Sequence, residues 1–148
     1  MNPDLRALAL RILNDTRDLV VATNRPDGWP QATMVSYVAD GFDVHFVIGR
    51  DSQKFKNLSA DPKVSVVVGG SVEDWMKIQG LSFAGLATLM TDEAGIKHTY
   101  ALLAKKFPVM ADMGMPDLKQ IAAVKVSPKV MSILDYTKGF AHTDLVTF

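Results

Sequence analysis

A chain of 148 residues, 48% of them apolar, is long enough to build one domain around a real core. Sixteen basic residues balance sixteen acidic ones with no block of like charge, which argues against a nucleic-acid surface. Cysteine is absent, so disulfides, thiolate metal sites and cysteine nucleophiles are excluded.

Asn2 is a preferred helix cap, Pro3 suits the first helical position, and Leu5, Leu8, Ala9, Ile12 and Leu13 recur on one face. That pattern predicts a helix over 3–13. Residues 19–23 form a short strand, and the Asp27-Gly28 turn signal predicts a hairpin into a second strand over 31–38. Along that second strand Gln31, Thr33, Val35 and Tyr37 alternate with Ala32, Met34, Ser36 and Val38. Asp40-Gly41 turns the chain into a third strand over 44–48.

The short helix after Asp51 must end near Asp61-Pro62, because proline disfavours helix at the residue before it. Residues 64–68 read as a near-continuous apolar strand. Gly69-Gly70 breaks it and opens a loop containing Trp75. A longer strand runs over 79–90, with Gly80 and Gly85 marking bends or bulges. Thr91-Asp92-Glu93 begins a helix that Lys105-Lys106 closes, a charge order that matches the helix dipole.

Met110, Met113 and Met115 lie in a segment over 109–117 that reads as a loop packed over something apolar. The last long strand covers 121–134, with Pro128 marking an edge or a bulge, and 136–148 shows no periodicity. Six strands in hairpin order, with helices inserted between them, predict a mainly β (α+β) fold. The expected architecture is a six-stranded antiparallel barrel with flanking helices, forming one domain over 1–148.

No apolar run approaches the ~20 residues that span a bilayer, and the first residues lack the pattern of a signal peptide, so a cytoplasmic protein is expected. His45, His98 and His142 have no metal-ligand spacing. His142 is the histidine best placed to reach a pocket from the tail, and a hydrogen bond to Asp144 is an equal reading. The acidic pairs Glu73-Asp74 and Asp92-Glu93 are sequence neighbours and do not face each other. Neither a nucleophile elbow nor a glycine-rich phosphate loop is present. An enzyme on this chain must therefore borrow its chemistry from a cofactor.

The triplet Ser52-Gln53-Lys54 falls where the helix after Asp51 begins. A helix start has unpaired N–H groups and a positive dipole end, so Ser52 and Lys54 there read as a phosphate pocket. Ser52 is equally a common helix cap with Lys54 a solvated side chain, and the triplet alone favours that simpler reading.

Three segments in order and spacing change the balance: Asp27-Gly28-Trp29-Pro30-Gln31-Ala32-Thr33-Met34-Val35-Ser36, then Phe46-Val47-Ile48, then Ser52-Gln53-Lys54 with Asn57-Leu58 and Asp61-Pro62-Lys63-Val64. With them the chain resembles the pyridoxamine 5′-phosphate oxidase-like, FMN-binding split-barrel family. The resemblance implies a homodimer with FMN in a groove between two barrels and a small organic molecule as substrate. It implies that Gln31, Thr33, Met34, Val35 and Ser36 line the flavin from the second strand and Val47 and Ile48 from the third. Ser52, Gln53 and Lys54 would hold the phosphate, and Gln79 would contribute from a later strand.

The sequence also departs from that family. Positions that are cationic in oxidases acting on pyridoxamine phosphate are here Gln31, Ser36 and Gln53. Lys54 is left as the cation of the site, with Arg50 or a partner subunit available to help. An arginine-rich C-terminal end is missing too. These departures argue against formation of pyridoxal phosphate. The same fold hosts deazaflavin-dependent reductases, and a flavin- or haem-binding carrier or sensor is the non-enzymatic alternative. His142 and the 110–115 methionines are the features to examine for haem.

Overall fold

The computed structural model describes residues 1–148. Helix α1 (Pro3–Asp15) starts as its sequence requires, with the Asn2 side chain accepting the Leu5 amide and proline in the first turn. Strands β1 (Asp18–Asn24) and β2 (Pro30–Ser36) form the expected hairpin. The second strand is shorter than predicted. It stops at Ser36, and Val38–Asp40 forms a separate strand, β3, paired with β4 (Asp43–Gly49).

Helix α2 (Gln53–Ala60) ends two residues before Pro62, with Asp61 as its cap. Strands β5 (Lys63–Gly69) and β6 (Gln79–Met90) follow, joined by a loop with one helical turn at Trp75–Lys77. Helix α3 (Glu93–Lys106) is succeeded by a four-residue turn of helix, α4 (Met110–Met113), within the segment read as loop. Strand β7 (Ile121–Asp135) and strand β8 (Thr143–Thr147) complete the chain.

The sheet therefore has eight strands rather than six, all antiparallel, in the order β2-β1-β5-β6-β7-β4-β3 with β8 beside β7. The two strands beyond the expected six are β3 and β8. The fold is mostly β with four helices, an open, curled antiparallel half-barrel.

Inside the curl, alternate residues of every long strand meet: Leu19 and Val21, Val44, Phe46 and Ile48, Val64, Val66 and Val68, Leu81 and Phe83. Helix α1 adds Ala9, Ile12 and Leu13 to this core, and the Tyr37 hydroxyl, fully buried, donates to the Leu13 carbonyl at 2.7 Å. That bond pins the chain where it passes from β2 to β3. Helix α3 lies on the outer side of β4 and β7 and buries Ile96, Thr99 and Leu103 there. No helix is long and apolar enough to cross a membrane.

Candidate functional site

The two ends of the seven-strand path are β2 and the β3–β4 hairpin, which are also neighbours along the chain. Curling the sheet brings those ends toward each other and leaves a seam. A cavity of about 330 Å³ sits there, lined by Val35 and Ser36 of β2 and by Val47 of β4. Its remaining walls are Leu103, Phe107, Val109 and Met110 from the end of α3 and the turn after it, and Arg17 from just before β1. Three nominated residues thus meet in one mostly apolar pocket of ligand size.

The rest of β2 divides by its two-residue period. Gln31, Thr33 and Val35 are half-buried, whereas Ala32, Met34 and Ser36 are exposed, Ser36 at the rim of the seam. Met34, 70% exposed, lies on the opposite side of the sheet from Thr33 and Val35. Ile48 points into the core, away from the seam that Val47 lines. Ser36 gives its hydroxyl proton to Asp18 at 2.6 Å.

Thr33 Oγ1 is buried with no hydrogen-bond partner. Buried hydroxyls are normally paired, and this unpaired one lies in the inward-facing row of β2.

At the far end of the same row, Gln31 belongs to a hydrogen-bonded network. Asn57, fully buried on α2, donates to Thr23 Oγ1 at 2.9 Å and to Gln31 Oε1 at 3.3 Å, and accepts from Gln53 Nε2 at 2.8 Å. Gln31 and Gln53 therefore hold α2 against the hairpin. Ser52 caps α2: its hydroxyl accepts the Phe55 amide at 3.2 Å and donates to the Gly49 carbonyl at 2.7 Å. The cap reading of Ser52 is what the bonds show.

Lys54 differs from its neighbours. It is half-buried in the first turn of α2 and makes no ion pair or side-chain hydrogen bond. The first-turn amides have no intrahelical acceptor, and Ser52 takes only that of Phe55.

Arg50 is fully engaged elsewhere, donating to the carbonyls of Ile121, Thr91 and Leu118 at 2.7–2.9 Å, so it braces the turn before β7. Gln79 lies at the opposite end of the sheet from α2, between Arg11, which donates to it at 2.6 Å, and Asp135, to which it donates at 2.9 Å. Within one chain it is not brought to the α2 start.

Of the residues considered for haem, His142 pairs with Asp144 at 3.0 Å, and Met113 and Met115 are exposed, while Met110 lines the seam. The segment over 109–117, read from its sequence as packed over something apolar, does so only at its start: Val109 and Met110 line the seam and the residues after them are exposed. Arg17 and Phe107 carried no sequence signal, because they reach the seam from elements distant in the chain.

The residues present fit a flavin in two places. An apolar slot at the seam suits a flat ring, and an unpaired lysine at a helix start suits a phosphate. Gln31 and Val35 are four strand positions apart, so the row of β2 joining the two places is about 13 Å long.

The chain matches the model of the pyridoxamine 5′-phosphate oxidase family over residues 6–134. No curated protein matches it. Among solved structures it is similar to a heme binding protein from Mycobacterium smegmatis, at 17% identity and a TM-score of 0.81, covering 99% of this chain and 59% of that one. A heme storage protein from Vibrio cholerae aligns at 16% identity and a TM-score of 0.67, covering 81% and 87% of the two chains. An F420 reductase aligns at 24% identity and a TM-score of 0.63, covering 82% and 94%. At these identities the neighbours speak for the fold, and the match over 6–134 speaks for the family. Bound by that match and by the curled sheet with its seam, the chain belongs to the pyridoxamine 5′-phosphate oxidase family.

Proposed function

We propose that this chain is an FMN-binding flavoprotein of the cytoplasm, folded as one domain, that acts as a homodimeric oxidoreductase on a small organic molecule. The observation that carries the reading is the inward row of β2. It runs from the α2 start with its unpaired Lys54, past the orphaned Thr33 hydroxyl, to the apolar seam at Val35 and Val47. When bound, the flavin supplies hydride or electron transfer. Lys54 and the free amides of α2 hold the phosphate, Thr33 hydrogen-bonds the cofactor, and Val35, Val47 and Phe107 exclude water from the ring.

Of the Ser52-Gln53-Lys54 triplet only Lys54 has no partner within the chain, and the other positions cationic in related oxidases, Gln31 and Ser36, are engaged too. A charge-assisted contact of this kind contributes roughly 1.5–3 kcal/mol. Lys54→Ala should therefore weaken FMN about ten- to a hundredfold in a fluorescence titration. Riboflavin, which lacks the phosphate, should bind wild type and variant alike. An unchanged FMN titration would return Lys54 to the solvated surface.

The absorbance spectrum of the freshly purified protein separates this reading from its alternatives, since flavin, deazaflavin and haem absorb differently. With the cationic positions neutral and their side chains engaged, pyridoxamine phosphate should not be oxidised at an appreciable rate. Oxygen uptake with added FMN measures this directly.

A further inference from the structure

The seam pocket holds one full charge. Arg17, the residue before β1, lines the pocket together with Val47 and Met110, with its guanidinium carbon 4.8 Å from the centroid of the Phe107 ring. It makes no hydrogen bond and no ion pair within the chain, although charged groups surround it. The Asp18 carboxylate beside it takes the Ser36 hydroxyl instead. Lys106, the other cation of this corner, donates to the Thr16 carbonyl at 2.6 Å and sits 4.0 Å over the Tyr37 ring. Lys106 is thus committed to holding the end of α3 against the turn between α1 and β1. Arg17 is exposed at the pocket's edge, stacked near an aromatic ring and without a partner in the chain, so its guanidinium donors are open to a planar anionic partner.

We propose that Arg17 is the charge-selecting group of the seam pocket, which takes a flat apolar ring system bearing a negative charge at one edge. The six apolar walls supply affinity without regard to charge, while the guanidinium distinguishes an anionic ring from its neutral counterpart. Its consequence for flavin rests on the function proposed above. Two-electron reduction gives a flavin ring that readily carries a negative charge, so an unpaired arginine favours the reduced form and raises the reduction potential.

The experiment has two arms. In the first, protein free of cofactor is titrated with the fluorescent aromatic sulfonate ANS and with its uncharged analogue N-phenylnaphthylamine. Arg17→Gln should weaken the sulfonate about tenfold and leave the neutral probe unchanged, while Arg17→Lys should retain part of the preference. Equal effects on both probes, or on neither, overturn the assignment. Thermal melts of each variant confirm that the fold is intact.

In the second arm the midpoint potential of bound FMN is measured. A tenfold loss of preference for the reduced form lowers it by about 30 mV in Arg17→Gln. FMN bound with an unshifted potential overturns the redox role of Arg17 and leaves the flavin reading standing. Protein that binds no FMN refutes that reading, while the probe pair still decides the pocket's charge preference.

Discussion

His45 sits on the outer side of β4, buried beneath α3, with its ring centroid 6.3 Å from that of His98. Its Nδ1 has no partner, and neither does the hydroxyl of Thr99, also fully buried in the layer of α3 over β4. Burial pushes the His45 imidazole below its ordinary value of 6.5. Asp40 and Asp43 pull it back up, and His98 and Lys125 press it further down. Above pH 6.5 the ring is neutral in both folded and unfolded chains. As the pH falls through 6.5 the unfolded chain takes up a proton that the folded chain resists. Stability is therefore present above 6.5 and is lost between that value and the lower folded one. Replacing His45 with Phe removes the titration while keeping a ring in the layer. Urea unfolding at about pH 7.5 and about pH 5.5 should show a smaller loss for the variant than for wild type. Equal losses would place the pH sensitivity in other groups.

At the scale of elements, the most constrained feature is the register shift between β6 and β7. Their register shifts between Ala84 and Gly85, with Ala84 opposite Val130 and Gly85 opposite Pro128, so Lys129 bulges out. Pro128 has no N–H to give, and it sits where none is needed, after the last β7 residue paired to β4 and before the first paired to β8. A Cβ on Gly85 would lie 2.7 Å from Val126 Cγ1 and 2.9 Å from the Ser127 carbonyl oxygen. Gly85→Ala should therefore destabilise the protein by about 1–3 kcal/mol. At Gly80 the nearest contact is 3.1 Å, to the Val68 carbonyl oxygen, so Gly80→Ala should cost less. Denaturant midpoints of the two variants check the order.

The sequence marked this bulge through its glycines and proline, and it marked β1, β2 and β5 through their alternation or apolar runs. It did not mark β8, because only Val146 of its five residues is buried and an edge strand leaves no strong period. Nor did it separate β3 from β2, since Tyr37 continues the inward alternation while its hydroxyl turns to α1. The site was legible in the same uneven way. Residue types on β2 and at the α2 start pointed to it, but the hydrogen bonds that engage Gln31, Gln53 and Ser52 depend on Asn57 and Gly49, whose roles only the folded chain reveals.

At the scale of the whole molecule, the outer face of β2-β1-β5-β6 is out of keeping with a solvated sheet. One row across it reads Met34, Val20, Val67 and Ser82, and the next reads Ala32, Ala22, Ser65 and Ala84. These positions carry no charge, although the solvated face of an antiparallel sheet is normally polar. Met34 is 70% exposed and Val67 is 53% exposed at its centre. In the proposed homodimer a second copy would cover this face by two-fold symmetry, each copy presenting the same patch to the other. In the proposed dimer the partner's surface would close over residues that one chain leaves open. Val67→Glu tests this, because the side chain is exposed in the single chain and the substitution leaves the core untouched. In a symmetric interface each substitution counts twice, and a carboxylate buried there without a partner is strongly destabilising. Light scattering should report a dimer for wild type and a monomer for Val67→Glu, with circular dichroism unchanged and FMN affinity reduced. A wild-type chain that is monomeric and still binds FMN tightly would show that one barrel completes the site alone, and the apolar face would then need a different partner.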